Sequence, residues 1–94
     1  MNNSFNHISD MENIFDEVLD AQYLIENALK EYRNLQNKVR MIEDYYSSKQ
    51  WIKDFEMDER GEIPPEVKRG VLSEDGIYRM LERNKEIMKM IGDD

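Results

Sequence analysis

Lys68 and Arg69 stand side by side before Gly70, and Ser73 follows at the start of a helical pattern. Two cations beside the unsatisfied amides of a helix start suit a phosphate or a carboxylate, because both the amides and the helix dipole favour negative charge. Lys68, Arg69 and Ser73 are therefore the candidate anion-binding residues. Glu74 and Asp75 crowd the same helix end, however, and a structural network with Asp54 or Asp75 as partner accounts for the cations too. Surface ion pairs are common and carry little energy, and the structural reading is preferred.

The other chemically capable residues are weaker. His7, the sole histidine, sits in a polar N-terminal stretch with no partner nearby in sequence for metal or base chemistry. The acidic run Asp54 to Ile63 can be laid on a calcium loop with Gly61 at its sixth position and Glu56 and Asp58 at its first and third. Arg60 then takes the fifth position and Val67 the twelfth, where a bidentate Glu is required, so the chemistry fails. No nucleophile elbow, P-loop or dinucleotide glycine pattern occurs, and no Cys is present. The chain gives no positive signal for catalysis, a cofactor or a metal.

These residues hang on a corner. Tyr45-Tyr46-Ser47-Ser48-Lys49-Gln50-Trp51 ends one helical pattern and opens another. Ser47 and Gln50 have capping-box spacing, which places Tyr46 and Trp51, the only tryptophan, as a hydrophobic staple. Asp54 and Tyr78 complete the expected structural corner of Tyr46, Ser47, Gln50, Trp51, Asp54 and Tyr78. Tyr45, Tyr46, Trp51, Phe55 and Tyr78 together would also suit an aromatic pocket, but aromatics at helical spacing are more often core.

Neither Gly nor Pro occurs before Gly61, so the first sixty residues are free to be helical. After a tail over 1–8, Ser9 and Glu12 form another capping-box pattern. From there Met11, Phe15, Val18, Ile25, Leu29 and Tyr32 make one apolar row, and Ile14, Ala21, Ala28, Leu35, Val39, Ile42 and Tyr46 a second. Together they form a stripe wider than a coiled-coil seam. An unbroken helix over 9–46 would run about 57 Å, against a compact radius of gyration of about 13 Å for a chain this size. Either it bends or breaks near 34–37, where Asn34 and Asn37 weaken it, or its length serves association.

A short helix over 47–59 follows, with Trp51, Ile52 and Phe55 inward and Gly61 as its C-terminal cap. A Pro/Gly loop over 60–72 includes a helical turn at 65–69. The last helix, 73–91, is capped by Ser73 with Leu72 and Ile77 as staple, though Asp75-Gly76 allows its start to slip two residues. Its inward stripe is Ile77, Leu81, Asn84, Met88 and Ile91. The predicted fold is all-α: one domain over 1–94, with a long N-terminal helix packed with a short middle helix and a C-terminal helix.

Thirteen Lys and Arg against twenty-one Asp and Glu leave a charge of −8, which argues against nucleic acid as a partner. No apolar run approaches a membrane span of roughly 18 residues, and Met1-Asn2-Asn3-Ser4 has no signal-peptide shape. A cytoplasmic protein without disulfides is expected.

Asp44-Tyr45-Tyr46-Ser47-Ser48, then Trp51 and Asp54, then Lys68-Arg69-Gly70-Val71-Leu72-Ser73-Glu74-Asp75-Gly76-Ile77-Tyr78 carry a resemblance across nearly the whole chain. The sequence resembles a small bacterial domain-of-unknown-function family. That resemblance implies a helical bacterial protein and brings no activity or catalytic residues with it. The leading expectation is a non-enzymatic interaction protein that self-associates along its N-terminal helix or binds another protein. The alternatives are an anion-binding domain or minor enzyme using Lys68, Arg69 and Ser73, and an antitoxin-like partner that masks a basic protein.

Overall fold

The computed structural model describes residues 4–92. Among them lie four α-helices: α1 (Asn6–Asn34), α2 (Gln36–Tyr46), α3 (Lys49–Glu59) and α4 (Gly76–Met90). A 3-10 turn occupies Gly70–Leu72, and the described residues contain no strand. The all-α class is as the helical periodicities predict.

The expected interruption near 34–37 falls at Leu35, and the chain divides between Asn34 and Leu35 into two units. Asn34 and Asn37 flank the break, and asparagine competes with the helix by bonding nearby backbone. The Leu35 carbonyl accepts from the amides of both Lys38 and Val39 at 2.9 Å, which starts the second helical ladder.

The first unit consists of α1, whose 29 residues span about 43 Å. It begins three residues earlier than its capping-box pattern predicts. The Phe5 carbonyl accepts from Ile8 and Ser9, so Ser9 lies inside the helix instead of capping it. Nothing from Phe5 to Ile8 resists helix, and an interior serine costs only about half a kcal/mol. Of the tail expected over 1–8, residues 1–3 lie outside the described residues.

The second unit builds its core from three faces. Val39, Ile42, Tyr45 and Tyr46 of α2, Trp51 and Phe55 of α3, and Met80, Leu81, Ile87 and Met88 of α4 are half-buried. Leu72, at 6% exposed, and Ile77, at 4%, are the buried hydrophobics. Ile52, expected inward, is exposed instead, standing about 100° round the helix from Trp51.

The end of α3 follows from Gly61, which takes the left-handed φ of +70° that its missing Cβ permits. The Gly61 amide then donates to Asp58 and the Glu62 amide to Met57, the paired bonds of a Schellman cap. Beyond it, the Val67 amide bonds the Pro64 carbonyl, so a β-turn replaces the helical turn expected at 65–69. The helical turn forms later, at Gly70–Leu72, and packs on both α3 and α4.

Asn84, a polar member of the inward stripe of α4, has a partner 48 residues away. Its amide and that of Gln36 exchange two hydrogen bonds of 3.0 and 3.1 Å, fastening α4 to the first turn of α2.

Candidate functional site

At the corner the cap lies one residue later than its sequence pattern indicates. Ser47 closes the C-terminus of α2, while Ser48 has the extended backbone of an N-cap. The Ser48 hydroxyl accepts from the Trp51 amide at 3.2 Å and donates to the Tyr45 carbonyl. Gln50 does not reach back towards Ser47; it donates to Asp54 at 2.8 Å, one helical turn ahead. Tyr46 and Trp51 meet as expected, edge to face with centroids 5.1 Å apart, and Phe55 stacks on Trp51 at 5.2 Å. Tyr78, expected at the corner, is exposed.

The indole N–H of Trp51 donates to the Val71 carbonyl at 2.8 Å. This bond ties the corner to the 3-10 turn and so to the Lys68–Tyr78 segment. The Tyr45 hydroxyl donates to Asp54 at 2.6 Å. Burial, then the hydrogen bond and the charge of Asp54, push the Tyr45 phenol up to about 12. The hydrogen bonds from Tyr45 and Gln50 hold the Asp54 carboxyl below its ordinary value. Neither group changes protonation near neutral pH, so the pair fastens α2 to α3 and is unsuited to general acid–base work.

The candidate anion residues are already engaged in part. Arg69 pairs with Asp58 at 3.3 Å and reaches the Ile63 carbonyl at 3.5 Å. Its partner is thus neither Asp54, which binds Tyr45 and Gln50, nor Asp75, which binds Arg79 at 2.9 Å. The Ser73 hydroxyl accepts from the Gly76 amide at 3.1 Å and donates to the Gly70 carbonyl at 2.9 Å, repeating the device used by Ser48. The helix start has slipped to Gly76, as the Asp75-Gly76 pair allows. Lys68 is exposed. Beside this segment lies an open hollow of about 220 Å³ lined by Ile42, Gly70, Val71, Gly76, Ile77 and Met80, whose side chains are all apolar. In the acidic run, Glu56 and Glu62 both pair with Arg60.

A different surface stands out on α1. Met11, Ile14, Phe15, Val18 and Ile25 each keep half or more of their surface exposed. An open hollow of about 410 Å³ lies along the same face, lined by Glu17, Val18, Ala21, Gln22 and Ile25. The parts of the predicted apolar rows that lie before Asn34 therefore share one face of α1, while Leu35, Val39, Ile42 and Tyr46 of the second row fall beyond the break. No helix among the described residues is long and apolar enough to cross a membrane.

Residues 8–93 match the family described as Domain of unknown function (DUF4298), and the chain belongs to that family. No curated protein and no solved structure matches the chain significantly.

Proposed function

We propose that this family member is a non-enzymatic helical interaction module that self-associates through the apolar face of α1. The observation that carries this reading is the row Met11, Phe15, Val18 and Ile25, exposed along one side of the helix. Burying apolar area contributes about 25 cal/mol per Å², enough over a long helix face to offset the cost of association. Contiguous exposed apolar surface on this scale commonly marks a binding face. The acidic charge and the preference for a protein partner over nucleic acid belong to the same reading.

The anion-binding alternative has less support. Arg69 already has a carboxylate partner, the Ser73 hydroxyl is committed to its own turn, and the neighbouring hollow is apolar.

Replacing Val18 and Ile25 together by Glu tests the reading. The variant should become monomeric in light scattering while the fluorescence melt of Trp51, which reports the second unit, stays within error of wild type. An unchanged association state would remove the α1 face from the account.

A further inference from the structure

We propose that the partner of α1 is a second copy of the chain, laid antiparallel along the same face. This rests on the self-association reading above and adds its orientation and pairing. Ile8, Met11, Phe15, Val18, Gln22, Ile25, Leu29 and Tyr32 recur at steps of three and four, the spacing of a two-helix seam. Run antiparallel about a centre near Asp20, the seam pairs Ile8 with Tyr32, Met11 with Leu29, Phe15 with Ile25 and Val18 with Gln22.

Charge selects this direction. Residues 6–20 carry Asp10, Glu12, Asp16, Glu17 and Asp20 and no Lys or Arg. Residues 21–34 carry Glu26 and Glu31 balanced by Lys30 and Arg33. A parallel pair lays one five-fold acidic half on another, within the Debye length of about 10 Å over which charges feel each other. An antiparallel pair lays each acidic half on a neutral one and sets the two helix dipoles head to tail.

Shape agrees. The first half carries Ile8, Met11, Ile14 and Phe15, whereas the second half sets the small Ala21 and Ala28 beside Ile25, Leu29 and Tyr32. The hollow lined by Glu17, Val18, Ala21, Gln22 and Ile25 ends at Ile25, opposite which the antiparallel register sets the other copy's Phe15. Gln22, the one polar member of the seam, meets Val18 near the centre, with a stem long enough to carry its amide to the edge.

The chain has no cysteine, so introduced thiols report pairing cleanly. The full-length Met11→Cys and Leu29→Cys variants are each equilibrated alone and as a mixture in a glutathione redox buffer, with light scattering run alongside. Positions 11 and 29 of one helix lie about 27 Å apart, so an antiparallel pair cannot join like to like. The expected result is a disulfide-linked dimer in the mixture alone, joining a Met11→Cys chain to a Leu29→Cys chain. Crosslinking of each variant alone would establish a parallel pair and overturn the proposal. A dimer by scattering with no crosslink in any sample would overturn the register while leaving self-association intact. A monomer by scattering, in these variants and in wild type, would overturn the self-association reading itself.

Discussion

Trp51 does three jobs at once. Its backbone amide caps onto Ser48, its ring sits between Tyr46 and Phe55, and its indole N–H holds the Val71 carbonyl. These jobs separate by substitution. Trp51→Phe keeps a ring but drops the bond to Val71, and should cost about 1 kcal/mol. Trp51→Ala loses the rings' contacts too and should cost about 3 kcal/mol, the low end for a truncated aromatic because the side chain is only half-buried. Chemical denaturation followed by circular dichroism measures both, and a Trp51→Phe variant as stable as wild type would deny the Val71 bond a role. Tyr45 makes a pH prediction. Its folded pKa, about 12, lies above the ordinary 10.0, so its share of stability is whole below pH 10 and fades as pH rises towards 12. Asp54 behaves oppositely: its lowered pKa gives stability present above the ordinary carboxylate range and lost as pH falls through the folded value. Between about pH 10 and pH 12 the wild type should therefore lose more stability than Tyr45→Phe. Parallel losses in the two proteins would show that the Tyr45–Asp54 bond does not link stability to pH.

At the scale of elements, much of the fold is legible because it is locally encoded. The helical class, the break beside Asn34, the Gly61 cap and the bond from the Gly76 amide to Ser73 all rest on residues within five positions of each other. Two neighbouring serines show the limit. Ser47 and Gln50 match the capping pattern, yet Asp54 draws Gln50 forward and the cap passes to Ser48. The partners of Trp51, Gln36 and Arg69 were not legible, since each depends on how the chain returns after Pro64 and Pro65. A polar Asn84 inside an apolar stripe was the one signal that a distant amide was needed. Gly76 is the element-scale prediction. A Cβ there would fall 2.8 Å from the Gly70 carbonyl and closer still to the Ser73 hydroxyl. Gly76→Ala should cost about 1–3 kcal/mol as overpacking, although alanine favours helix. A thermal melt no lower than wild type would mean that the 3-10 turn gives way freely.

For the whole molecule, the distribution of burial matters most. Leu72 and Ile77, the buried hydrophobics among the described residues, both lie in the second unit, while α1 buries no residue and leaves Met11, Ile14, Phe15, Val18 and Ile25 exposed. The rows were legible in sequence spacing; what covers them was not, because an amphipathic face looks the same whether its partner is the same chain or another. The proposed self-association would resolve that contrast, and the mass of the wild type in solution tests it most directly. Sedimentation equilibrium over a hundredfold dilution series from tens of micromolar should give twice the 11.3 kDa chain mass at the upper end, falling on dilution. A mass of one chain throughout would contradict the account.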